Sequence, residues 1–171
     1  TGRREADSIC FLADGHHFVT ANEGDTSTSG GVFSGGRGYS FFDLDGTLVH
    51  DSGDAAERLP LPFGQYQDSR SAARGIEVEG CATGDFGAHE YAFLLGERDS
   101  SVIVVRADEP SSPTIVQALP APFRPEGIVA IPGRNLFVVA GEGPNGGDVN
   151  DAFLGGGIWI YEGVFDAAQI D

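Results

Sequence analysis

Three times in this chain an apolar run ends in a small residue followed by glutamate: Asn22-Glu23 in VTANEGD, Gly96-Glu97 in FLLGERD and Gly141-Glu142 in FVVAGEGP. A second set of acids falls in register upstream, Asp7 in EADSICFL, Glu79 in EVEGCATG and Glu126 in RPEGIVAI. Carboxylates gathered beside glycine-rich, carbonyl-exposing loops suit hard cations, Ca²⁺ above all, which takes roughly six to eight oxygens at flexible geometry. The candidate metal ligands are therefore Glu23, Glu79, Glu97, Glu126 and Glu142. Arginines lie among them: Arg37, Arg70, Arg74, Arg98 and Arg124 could meet a phosphate or carboxylate bidentately. A second reading stands beside the first. An acid that recurs in every repeat also serves as a structural device, accepting backbone N–H groups at the end of its own strand.

Whether these acids meet depends on the elements that carry them. Each copy is built from short runs of β-branched and aromatic residues separated by Gly, Asp, Pro and Asn turns, the pattern of strands rather than helices. The third segments are GYSFFDLD, SVIVVRAD and GIWIYEG; the first two copies add a fourth, TLVHDSG and TIVQALP, and the third copy stops before its fourth. The interval from Glu79 to Glu126 fits the period of about 40–50 residues of a four-stranded propeller blade. The first copy is longer because of insertions at 25–37 and 55–75. The expected fold is an all-β propeller fragment of about two and three-quarter four-stranded blades, with blade one at about 5–54, blade two at about 76–120 and an incomplete blade three at about 124–165. A propeller closes with roughly four to eight blades, and the sequence has no Met, so the chain reads as a piece of a larger molecule whose open blade faces are sites for self-association.

In a blade the chain zigzags outward from the innermost strand. The start of strand one and the end of strand two therefore share one rim, and all the recurring acids converge there. The same rim receives the glycine-rich loops DTSTSGGVFSGGRG and GEGPNGGDVNDAFLGGG and the long connection AAERLPLPFGQYQDSRSAARG. Elaborated loops on one rigid face are where binding resides. Asn22, Gly96 and Gly141 suit a tight departure of the backbone from the strand.

Ten Lys plus Arg against 26 Asp plus Glu give a net charge of −16, which repels nucleic acid and anionic membranes and concentrates cations. No apolar run approaches the roughly 20 residues that span a bilayer. Cys10 and Cys81 lie in first strands one place out of register, the parity a bridge between adjacent blades needs and also that of two reduced thiols pointing apart. His16, His17 and His89 fall in turns of the opposite rim. GGDVND offers oxygens at Asp148, Asn150 and Asp151 without a calcium-loop pattern, and Ser34 has no visible base. The chain has no GxSxG elbow, P-loop or CxxC.

Taken together, VTANEGD, GGRGYSFFDLDGTLVHDSGDAAER, DSRSAARGIEVEG, YAFLLGERDSSVIVV and PEGIVAI resemble the choice-of-anchor I propellers, exported bacterial proteins related to phytase-like esterases, alkaline phosphatases and mesenchyme-specific cell surface glycoproteins. The resemblance implies a larger, seven-bladed propeller in an extracellular or periplasmic location. This chain departs from the family's PEG in EADS and EVEG and keeps it at Glu126. Two functions follow as expectations: a binding or cell-surface scaffold with Ca²⁺ on its loop-rich face and a small-molecule or surface ligand, or a metal-dependent phosphoesterase in which rim metals activate water and the arginines steady a phosphate.

Overall fold

The computed structural model describes residues 4–24, 36–142 and 156–163. Within them the chain forms three antiparallel sheets, each a meander in sequence order. The first contains β1 (Ala6–Phe11), β2 (His17–Asn22), β3 (Gly38–Asp43) and β4 (Leu48–Asp51). The middle sheet contains β5 (Val78–Phe86), β6 (His89–Gly96), β7 (Ser101–Arg106) and β8 (Thr114–Pro120). The last holds β9 (Pro125–Ile131), β10 (Leu136–Gly141) and β11 (Gly157–Glu162). The all-β expectation holds. The turn from first to second strand demands a left-handed residue in every sheet, supplied by Gly15 (φ 69°), Gly87 (φ 65°) and Asn135 (φ 57°).

The first strands carry the sheets' mutual contact: β5 lies against β1 on one side and β9 on the other. The middle sheet is consequently buried on both faces. Along β6, Ala92 and Leu94 join the core shared with the first sheet, whereas Phe93 and Leu95 join the core shared with the last. On β7, Ile103 and Val105 face one way and Val102 and Val104 the other. Two-sided burial is why FLL and VIVV read as unbroken apolar runs, where a one-sided strand would alternate. Across the second core, Phe93 stacks on Phe137 at 4.5 Å and Phe137 on Tyr161 at 4.4 Å.

The connection from β4 to β5 is folded rather than loose. It contains the short helix α1 (Ala55–Arg58) and 3₁₀ turns at Leu61–Phe63 and Asp68–Arg70. Ala56 is fully buried, and Leu59 and Tyr66 pack on the first core. The Glu57 carboxylate accepts the Ile76 N–H at 3.1 Å and the Tyr66 hydroxyl at 3.0 Å, which ties both ends of the segment together. Arg70 and Arg74 are thereby delivered to the start of β5.

The two outward faces differ from the inner ones. Ile9 (56 % exposed) and Phe11 (63 %) stand on the first sheet, and Val129 (52 %), Ile158 (72 %) and Ile160 (67 %) on the last. The register places Val129, Val138 and Ile160 in one row, so these residues form a continuous apolar strip on an open face.

This division sets a stability contrast. Leu94→Ala, at a side chain buried between two sheets, is expected to cost about 2–5 kcal/mol, while Ile160→Ala on the open face costs under about 1 kcal/mol. Urea denaturation of the two variants measures both, and equal losses would contradict the two-sided core.

Candidate functional site

One backbone device, repeated in every sheet, builds the acidic rim. The residue before each first strand is left-handed without being glycine: Glu5 (φ 42°), Glu77 (φ 53°) and Arg124 (φ 46°). Its carbonyl accepts the N–H of the glutamate that ends strand two: Glu23 to Glu5 at 3.1 Å, Glu97 to Glu77 at 2.9 Å and Glu142 to Arg124 at 2.9 Å. Two residues later the register slips, between Ala6 and Ser8, between Val78 and Gly80, and across from Ala140 and Gly141. The residue at the slip is Asp7, Glu79 or Glu126. A bulge turns its side chain out of the ladder, and here it turns the acid toward the glutamate of strand two.

The acids accordingly face one another in pairs: Asp7 with Glu23, Glu79 with Glu97, and Glu126 with Glu142. Adjacent pairs also approach. Single carboxylate oxygens of Glu79, Glu97 and Glu126 lie within 4.8 Å of one another, and so do those of Glu23, Glu77 and Glu79. Of the five candidate ligands, four fall into these two groups, and Glu142 touches the cluster through Glu126. Glu77 was missed by the sequence reading; its place next to Val78, before the in-register Glu79, gave no sign that it would be buried.

The arginines have protein partners. Glu77 is almost fully enclosed (1 % exposed) and holds Arg70 on one oxygen and the Arg98 Nε at 2.5 Å on the other. Arg98 also reaches Glu97 Oε1 at 2.8 Å. Arg74 pairs with Glu23 and, at 3.2 Å, with Glu5. Arg37 donates to the Ser71 carbonyl at 3.0 Å and to that of Ala73, and the Arg124 guanidinium lies 5.2 Å from the centre of the Phe123 ring. The Glu23 and Glu97 carboxylates thus meet arginines on one side and neighbouring acids on the other, Glu23 near Glu77 and Glu79 and Glu97 near Glu79 and Glu126.

Local demands explain the small residues ahead of the strand-two acids. Asn22, Gly96 and Gly141 do not have positive φ. At Gly96 and Gly141 a side chain lacks space: a Cβ on Gly96 would collide with Asp99 Oδ1, and one on Gly141 with the Phe123 carbonyl. Asn22 is buried and donates to Ser40 Oγ at 3.0 Å.

Burial leaves part of the charge uncompensated. Glu97 is 3 % exposed, and its Oε2 has no hydrogen-bond donor. Desolvation, then the neighbouring Glu79 carboxylate, push its pKa up to about 7. Burial also raises Glu79, with Asp7, Glu23 and Glu126 adding to the effect, and it raises Glu126 ahead of the contribution from Glu142. Asp99, whose Oδ1 is likewise buried without a donor, is lifted by desolvation to about 7.

The remaining sequence candidates lie elsewhere. His17 bridges Asp14 at 2.5 Å and Asp43 at 3.0 Å, and His89 meets Asp108 at 2.7 Å, all at the opposite ends of the strands. Asp148, Asn150, Asp151 and Ser34 fall outside the described residues, as do most of both glycine-rich loops.

Two outcomes follow from these charges. Glu77→Gln leaves two arginines facing a neutral amide in a buried setting and is expected to cost about 3–5 kcal/mol; a loss below about 1 kcal/mol by urea titration would refute the structural role. Glu97 and Asp99 have folded pKa values above their ordinary 4.5 and 3.8. Their contribution to stability is complete below those ordinary values and is lost as pH rises through about 7. In chelator, raising the pH from about 5.5 to about 8 should lower stability by about 1–3 kcal/mol. Thermal melts of the parent against Glu97→Gln with Asp99→Asn check this, since the double variant should be flatter.

Comparison with curated proteins and with solved structures gives no match. The model of the choice-of-anchor I domain matches residues 28–110. That span runs from the approach to β3, through the β4–β5 connection with its arginines and Glu57, to the end of the middle sheet's third strand. It includes Glu77, Glu79 and Glu97. The resemblance to the choice-of-anchor I family therefore holds over residues 28–110, by match to the family's own domain.

Proposed function

We propose that this chain is an arc of an exported β-propeller that works as a binding or cell-surface scaffold, and that its rim holds Ca²⁺ between Glu79, Glu97 and Glu126. The architecture behind the reading is the radial one: three meanders contact through their first strands, and their open faces carry apolar strips where further sheets would pack. The match to a choice-of-anchor I domain and the net charge of −16 support an extracellular or periplasmic setting. Among the described residues no helix is long and apolar enough to cross a membrane.

The observation that carries the cation is Glu97 Oε2, buried within a three-carboxylate cluster and lacking a donor. A proton shared with Glu79 satisfies it at low pH. At neutral pH and above, a hard cation does so better, because it neutralises several carboxylates at once and accepts further oxygens from water and exposed Glu142. The neighbouring group of Glu23, Glu77 and Glu79 is a poorer site, since Arg70, Arg74 and Arg98 already neutralise Glu77 and Glu23. The same pairing leaves the phosphoesterase alternative without an observation in its favour: Arg37, Arg70, Arg74 and Arg98 are engaged with the protein's own carboxylates and carbonyls, and Arg124 lies over the Phe123 ring.

Ca²⁺ bound to the folded chain stabilises it by RT ln(1 + [L]/Kd), about 2.7 kcal/mol at one hundred times Kd. Thermal melts at neutral pH in chelator and in millimolar Ca²⁺ should differ by several degrees in the parent, and the difference should vanish in Glu97→Gln with Glu126→Gln. An unchanged melting temperature in the parent would overturn the cation site.

A further inference from the structure

The sequence left open whether Cys10 and Cys81 face each other or point apart. They face each other. Both belong to the core between the first and middle sheets, Cys81 buried within it and Cys10 packed half-buried against it. The Cys10 thiol donates to the Cys81 carbonyl at 2.8 Å, and Cys81 Sγ lies 3.3 Å from Ser8 Oγ, one residue pair along β1. Both cysteines are free thiols. The strands that hold them, β1 and β5, adjoin without a shared ladder of backbone bonds: they belong to different sheets.

We infer that Cys10 and Cys81 are a dithiol pair that closes to a disulfide across the seam between the first and middle sheets when the protein meets an oxidising compartment. A disulfide needs the two Cβ atoms within about 4.5 Å and directed at one another, and the Cys10 thiol already touches residue 81 itself across the seam. Where the seam lacks backbone pairing, the bond would supply a covalent one, closing a loop of 71 residues, the length at which a cross-link removes much of the unfolded chain's freedom.

The oxidant is a disulfide, either a small molecule such as oxidised glutathione or a thiol–disulfide oxidoreductase. The Cys10 sulfur, the more accessible of the two, loses its proton and attacks one sulfur of that disulfide; the other sulfur departs as a thiolate and takes up a proton. Cys81 then loses its proton and attacks the Cys10 sulfur, releasing the second thiol of the oxidant. Two protein thiols are oxidised to one disulfide while the oxidant is reduced to two thiols.

The test is incubation of the whole chain with oxidised glutathione at mildly alkaline pH, followed by alkylation under denaturing conditions and mass spectrometry. The expected result is loss of both alkylatable thiols, a peptide pair linked through Cys10 and Cys81, and a melting temperature about 5–10 °C higher that returns on reduction. Cys81→Ser should instead hold one glutathione on Cys10. A persistent glutathione adduct in the parent, thiols that stay alkylatable, or disulfides between copies on a non-reducing gel would each overturn the pairing.

Discussion

Everything on the acidic rim hangs from one backbone hydrogen bond, the N–H of a strand-two glutamate to the carbonyl of a left-handed residue before strand one. It occurs at Glu97 to Glu77, Glu23 to Glu5 and Glu142 to Arg124. A non-glycine residue in that conformation costs on the order of 1 kcal/mol, and the same cost is met in three sheets. The recurrence shows that the surroundings over-determine the geometry. Once the bond is fixed, the ladder must slip by one residue, and the slip is what sets Asp7, Glu79 and Glu126 against the glutamates of the second strands.

Pairing carboxylates inside a chain of net charge −16 is unfavourable unless something answers them. The β4–β5 connection does so at one end of the cluster. Glu57 pins it by accepting from Ile76 and Tyr66, and Arg70 and Arg74 then reach Glu77 and Glu23. Arg98 completes the enclosure of Glu77 from β6's own exit. The compensation thins toward the last sheet, where Glu126 and Glu142 are exposed and Glu97 keeps an oxygen without a donor. This gradient, from arginine-saturated to acid-rich, is why the proposed cation is assigned to Glu79, Glu97 and Glu126 rather than to the group beside Glu23.

The sheets themselves explain why so small a set of contacts holds the rim. Because β6 and β7 send alternate side chains into two cores, the middle sheet is fixed from both sides, and the Glu97 turn inherits that rigidity. The outer sheets are fixed from one side only. Their exposed Ile9, Val129, Ile158 and Ile160 are the counterparts of Cys81, Ala82, Val102 and Val104, which the middle sheet buries, a reason to regard these faces as seams for further packing.

Sequence alone determined the strand character, the repeat and the set of recurring acids, because these rest on local matters: β-branched runs, turn residues and a period that survives insertions. It also placed Arg70 and Arg74 near the acids, since the connection that carries them had to reach the same rim. The burial of Glu77 was decided only by tertiary structure, for it depends on two arginines from separate segments closing over a residue that looks like any other strand-entry acid. The same holds for the pairing of Asp7, Glu79 and Glu126 with Glu23, Glu97 and Glu142, since a one-residue slip of register leaves no mark in composition or period. Gly96 and Gly141 were legible as constrained positions, but the neighbours that crowd them, Asp99 and the Phe123 carbonyl, were supplied only by the folded chain. Whether Cys10 and Cys81 met was likewise open to parity alone, and was settled by how closely β1 approaches β5 across the seam between their sheets.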